Sequence, residues 1–144
     1  MELIVDTNVL LTFFWSDSVF RKITLSQELR LISPEFALEE IKKHSSDICK
    51  KADLSLDRFK ELREELAIRV EFVPLNKYED FFPKIKNGLK NCDEKELNEL
   101  IMDIDFLALA LKSERLLWSN DHLLKKQSLV KIVSTSELIK LLDL

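Results

Sequence analysis

Four acidic side chains stand where an α/β chain can bring them together. Asp6 ends the apolar run Leu3-Ile4-Val5, and Glu40 lies within Ala37-Leu38-Glu39-Glu40-Ile41. Asp103 opens Asp-Ile-Asp-Phe-Leu-Ala-Leu-Ala (103–110), and Asp121 closes Trp118-Ser119-Asn120-Asp121. Carboxylates gathered in one cleft repel one another and raise each other's pKa unless a cation is present. A hard divalent ion such as Mg²⁺ answers that repulsion, because it takes oxygen ligands and keeps several waters. Such ions serve phosphoryl-group hydrolysis by polarising the phosphate and lowering the pKa of a bound water. The pattern reads as an acidic Mg²⁺ or Mn²⁺ site. Zinc does not compete: His44 and His122 are too few and too far apart, and Cys49 and Cys92 have no partner spacing.

Each acid also has a plainer role when taken alone. Asp6 and Asp103 suit helix N-caps, a role worth about 1 kcal/mol. Glu40 suits a solvated helix face and Asp121 an ordinary turn. It is their combination at one edge of a sheet that favours the metal reading.

The elements that must position these residues follow from hydrophobic pattern. Leu3–Val5 reads as a strand buried on both faces, followed by a helix over Asn8–Trp15. A second strand, Leu31–Ser33, ends in Pro34 and feeds a helix running from Glu35 towards Lys51. Ser55 caps a helix whose Leu56, Phe59, Leu62 and Leu66 share a face, and Val70–Val73 is a third strand. Helical stretches at Tyr78–Leu89, Asp93–Leu100 and Asp103–Lys112 precede strands at Leu116–Ser119 and Lys131–Val133. Ser134-Thr135-Ser136-Glu137 reads as a capping box opening the last helix. Strands alternating with helices predict a three-layer α/β/α sandwich around a mainly parallel sheet of about five strands, one domain over residues 1–144. In such sheets, sites gather at the carboxyl ends of strands. Asp6 and Asp121 fall there, and Asp103 and Glu40 lie on helices that start or pass near the same edge.

The chain has 144 residues, 46% of them hydrophobic and 33% charged, the balance of a folded domain with its own core. Its net charge of -4 argues against gripping nucleic acid by overall charge, though not against a nucleic-acid enzyme whose metal site is acidic. A single glycine, Gly88, excludes every glycine-rich phosphate loop. No apolar run is long enough to span a bilayer and no signal peptide is read, so the expectation is a cytoplasmic protein with no membrane partner. Cys49 and Cys92 read as buried free thiols of a reducing cytosol.

With these residues placed, the sequence resembles the PIN-domain family of metal-dependent ribonucleases. Ile-Val-Asp-Thr-Asn-Val-Leu-Leu (4–11) is similar to that family's opening strand and first acid, Asp6. The stretch 33–44, Ser-Pro-Glu-Phe-Ala-Leu-Glu-Glu-Ile-Lys-Lys-His, resembles its second motif and favours Glu40 over Glu39, because the acid there precedes an aliphatic residue. Residues 103–124 resemble its third and fourth motifs. The register of Asp-x-x-x-x-Ala-x-Ala places the third acid at Asp103, with Asp105 accessory, and the fourth falls on Asp121. The middle of the chain, 47–92, carries no motif.

The resemblance implies that Asp6, Glu40, Asp103 and Asp121 hold one or two Mg²⁺ or Mn²⁺ ions. A metal-activated water would then hydrolyse a phosphodiester of single-stranded or looped RNA. Thr7, Asn8, Ser119 and Asn120 would support the site, and Lys125 and Lys126 would be the best candidates to touch the RNA backbone. It also implies a likeness to the VapC-type toxins of toxin–antitoxin modules, usually dimers neutralised by a small antitoxin protein. The alternative is a non-catalytic PIN-like domain that binds RNA or protein. A haloacid-dehalogenase-type phosphatase is a poor fit, since position 8 is Asn where its Asp-x-Asp-x-Thr needs the second acid.

Overall fold

Leu3, Ile4 and Val5 have no solvent exposure, as a continuous apolar run requires when a strand is covered on both faces. In the computed structural model, which describes residues 1–26 and 28–144, this run lies in β1 (Glu2–Val5), the middle strand of a five-stranded sheet. The chain continues through α1 (Thr7–Leu11), a 3-10 turn at Thr12–Phe14 and α2 (Val19–Ser26), then β2 (Arg30–Pro34), α3 (Glu35–Lys43) and α4 (Ser45–Ala52). Next come α5 (Leu56–Arg69), β3 (Val70–Val73), 3-10 turns at Leu75–Lys77 and Glu79–Phe81, and α6 (Phe82–Gly88). These are followed by α7 (Glu94–Ile101), α8 (Ile104–Ser113), β4 (Leu116–Trp118), a 3-10 segment at Leu123–Lys126, β5 (Ile132–Val133) and α9 (Thr135–Leu141).

The strands lie in the order β3-β2-β1-β4-β5 and every pairing is parallel. This is the three-layer α/β arrangement expected from the alternation of strands and helices. From β1 the chain builds outward through β2 to β3, then crosses back to lay β4 on the other side of β1. The crevice at the carboxyl ends of β1 and β4 is therefore a topological switch point, where open α/β sheets leave room for a ligand.

Local chemistry sets several boundaries. The hydroxyls of Ser55 and Ser134 accept from the amides of Arg58 and Glu137, and Glu137 completes the capping box expected for α9. Gly88 serves close packing: a Cβ there would lie 2.4 Å from Leu129 Cδ1. Cys49 and Cys92 are free thiols, but half-buried rather than fully buried.

Three expectations are corrected. The helix expected over 8–15 is only α1, followed by the 3-10 turn, within which Phe13 and Phe14 pack into the core. The helix expected from Glu35 towards Lys51 breaks at His44, whose backbone (φ −99°, ψ 21°) turns the chain into α4. Ser45 and Ser46 follow directly, residues whose hydroxyls compete for backbone groups and so favour helix starts over interiors. The stretch expected to be helical from Tyr78 begins with a 3-10 turn, and α6 starts only at Phe82, next to Pro83. Helix α2 had no expectation at all; its eight residues are too short for a clear period. No helix among the described residues is long and apolar enough to cross a membrane.

Candidate active site

Asp6 is the first residue past β1. Its amide donates to the Trp118 carbonyl (3.2 Å), extending the β1–β4 ladder by one bond. Its backbone is extended (φ −80°, ψ 166°), so the carboxylate folds back and Oδ1 accepts from the Val9 amide at 2.8 Å. Asp6 thus caps α1 and remains buried, with 6% of its surface exposed. Thr7, the next residue, donates its hydroxyl to Glu40 Oε1 at 2.8 Å, joining α1 to α3.

Asp103 lies between α7 and α8. Although it occupies the N-cap position of α8, its backbone (φ −101°, ψ 17°) is not extended and its side chain makes no capping hydrogen bond. Asp121 follows β4 in a tight turn. Its amide donates to the Ser119 hydroxyl (3.1 Å) and its Oδ1 accepts from the Leu123 amide (2.9 Å). Ser119 itself is fully buried.

These segments meet at one cavity of about 220 Å³, lined by Asp6, Thr7, Asn8, Glu40, Asp103 and Asp121 together with Leu11, His44 and Phe106. The electrostatics match the crowding. Burial pushes the Asp103 carboxyl up from its ordinary 3.8 to about 6, and the charges of Asp121, Asp6 and Glu40 add to the shift. Asp6 is also raised, by burial first; the Ser119 hydroxyl and the Val9 amide oppose this, while Asp121 and Glu40 reinforce it. None of the four acids forms an ion pair among the described residues.

By donor chemistry this set suits a hard cation, since all four groups are carboxylates with no positive partner. As placed, no three His, Cys, Asp or Glu side chains among the described residues are arranged to hold an ion. Closing around one would draw the carboxylates inward, and Glu40, held by the Thr7 hydroxyl, would have to keep or exchange that bond.

The family profile of the PIN domain matches residues 4–140, almost the whole chain. The chain belongs to the PIN-domain family. This PIN domain also resembles a chain of the crystal structure of VapBC2 from Rickettsia felis bound to a DNA fragment from their promoter. The TM-score is 0.68 at 16% identity, covering 93% of this chain and 98% of that one. At that identity the likeness speaks for the fold. A comparison with curated proteins returns no match.

The remaining expected residues of the PIN domain are placed elsewhere. Asp105 turns from the cavity and accepts from the Tyr78 hydroxyl at 2.5 Å. Asn120 binds Thr135 twice, through its amide nitrogen to the hydroxyl (3.0 Å) and its oxygen from the backbone amide (2.8 Å), fastening the end of β4 to the start of α9. Lys125 pairs with Glu137, and Lys126 with Glu96 at 3.1 Å, and neither lines the cavity. Glu39 does not line it either, whereas Glu40 does. Leu11, His44 and Phe106 were absent from the sequence-based site. For His44 the signal existed: it follows Glu40 by four residues, which places both on one helical face.

Proposed function

We propose that this PIN domain is a Mg²⁺- or Mn²⁺-dependent endoribonuclease that hydrolyses phosphodiester bonds of single-stranded or looped RNA. The observation that carries the reading is the convergence of Asp6, Glu40, Asp103 and Asp121 on one cavity with no positive partner, two of them with raised pKa. A bound ion would supply Lewis acidity toward the phosphate and a water of lowered pKa. Asp6, Glu40, Asp103 and Asp121 are the residues that would hold it. The protein's own contribution is orientation. Val9 fixes Asp6, Thr7 fixes Glu40, and the Ser119 and Leu123 contacts fix the turn that carries Asp121. Supports of this kind tune a metal site through its ligands.

The biological reading is a cytoplasmic toxin of the VapC type, acting as a homodimer and held in check by a small antitoxin. Its support is family membership together with the fold likeness to a VapBC2 complex. The alternative, a non-catalytic domain that binds RNA or protein, draws on one observation: no three of the acidic groups are already arranged to hold an ion. Cleavage of a panel of structured RNAs in Mg²⁺ and in Mn²⁺, wild type beside Asp6→Asn, separates the two. Metal-dependent cleavage that Asp6→Asn abolishes is the expected result. Undiminished cleavage by the folded variant would sink the site assignment, and an inactive wild type would favour the alternative.

A further inference from the structure

A site built from four carboxylates meets its proposed substrate at a disadvantage, because the RNA backbone is itself an anion. Ions held by these carboxylates would offset part of that repulsion, and a positive group on the protein beside them would help hold a phosphate. The lysines expected to do this are committed elsewhere, Lys125 to Glu137 and Lys126 to Glu96. Among the residues that line the cavity, His44 alone has a side chain that can carry positive charge.

The way His44 is held fits such a role. Its amide donates to the Glu40 carbonyl (3.0 Å) and its own carbonyl accepts from the Ile48 amide (3.0 Å), so α3 and α4 fix its backbone from both sides. The side chain is exposed, and no hydrogen bond or ion pair among the described residues engages the ring. It stands four residues after Glu40, one position past the end of α3, and lines the same cavity as Glu40. An anchored backbone, a ring without a protein partner and a place on the wall of the acidic cavity are together uneconomical for a purely structural residue.

We infer that His44 is a substrate-positioning residue that donates a hydrogen bond to a phosphate of the RNA strand beside the one being cleaved. The inference rests on the ribonuclease reading and adds to it the group that holds the strand. Contacts to phosphate fix register without reading sequence, so the effect should be the same for every RNA the protein accepts.

The test measures kcat and KM of wild type, His44→Ala and His44→Arg on a short labelled single-stranded RNA in Mn²⁺. A second arm measures binding of that RNA by fluorescence anisotropy to Asp6→Asn and to Asp6→Asn/His44→Ala. His44→Ala should raise KM about tenfold with kcat within about twofold, as loss of a charge-assisted contact made equally in ground and transition states predicts. His44→Arg should recover most of the loss, which a structural role would not allow, and thermal melting should leave both variants folded. Unchanged KM in His44→Ala overturns the inference while leaving the ribonuclease reading intact. If wild type cleaves nothing but Asp6→Asn binds RNA and the double variant binds about tenfold more weakly, the positioning role stands and the hydrolytic reading fails. Absence of both cleavage and binding overturns both.

Discussion

Asp6 and Asp103 occupy the same position relative to a helix and use it differently. Each immediately precedes its helix, α1 or α8, and each lines the acidic cavity. Asp6 enters from a strand with extended backbone, which lets the carboxylate reach the Val9 amide while it also takes a hydrogen bond from the Ser119 hydroxyl and lines the cavity. Asp103 enters from the end of α7 through Met102, with a backbone that cannot fold the side chain onto the new helix. A cap needs the extended conformation, so one aspartate both caps its helix and lines the cavity, and the other only lines the cavity. Position before a helix is not enough to make a cap; the conformation of the incoming chain decides.

The comparison breaks most plainly if the two acids differ in activity. Asp6→Asn and Asp103→Asn should each reduce metal-dependent RNA cleavage by about a thousandfold or more, equivalent to roughly 4 kcal/mol of transition-state stabilisation. Single-turnover cleavage at saturating Mn²⁺ measures it. An Asp103→Asn variant that kept near-normal activity would make Asp103 a bystander and leave the site with three acids.

A smaller effect concerns pH in the absence of divalent ions. The folded-state pKa of Asp103, about 6, lies above its ordinary 3.8, so the metal-free folded protein holds a proton that the unfolded chain has released. Stability from this group is fully present below pH 4 and declines as pH rises through about 6. Relative to Asp103→Asn, the metal-free wild type should lose roughly 2–4 °C of melting temperature between pH 5 and 7, and Mg²⁺ should return it by favouring the ionised form. The same slope in Asp103→Asn would assign the effect to another group.

The two acids should separate again when Asn and Ala are compared at each position. Asparagine is as good a cap as aspartate, whereas alanine offers none. Asp6→Ala should therefore be less stable than Asp6→Asn by about 1 kcal/mol in denaturant unfolding, while Asp103→Ala and Asp103→Asn should agree within about 0.5 kcal/mol. Equal gaps at the two positions would mean that Asp103 caps α8 in solution.

How much of this was legible in the sequence follows the same division. The strands were readable because a short apolar run such as Leu3–Val5 has few alternatives when turn signals bound it, and the parallel sheet followed from their alternation with helices. The four acids could be named as a set, but nothing in the sequence showed that Asp6 would be a cap and a cavity residue at once. That depends on φ and ψ at one residue, which the neighbouring chain imposes. The break at His44 was hidden for a similar reason. The apolar pattern of α3 and α4 runs on across it, so the turn left no signal, although the four-residue spacing from Glu40 already set His44 on the side of the site. Asn120 read as a site residue because it precedes Asp121, yet its amide is spent on Thr135, fifteen positions away. Long-range hydrogen bonds of this kind leave no local signal.

The far end of α8 gives the smallest and sharpest contrast with Asp103. The helix stops at Glu114, which adopts a left-handed conformation (φ 55°, ψ 46°) while its amide bonds back to the Ala110 and Leu111 carbonyls. Glycine normally fills such a position because any side chain there is strained, and the only glycine in this chain is used at Gly88. Glu114 is exposed, does not line the acidic cavity and takes part in no ion pair among the described residues. Glu114→Gly should therefore stabilise the protein by about 0.5–1 kcal/mol in denaturant unfolding, with cleavage unchanged. A loss of stability would mean that the entropy glycine adds to the unfolded chain outweighs the strain it removes. Unequal effects at the two ends of one helix would then mirror the two aspartates: the ends obey the same rules, and the incoming or outgoing backbone decides which rule applies.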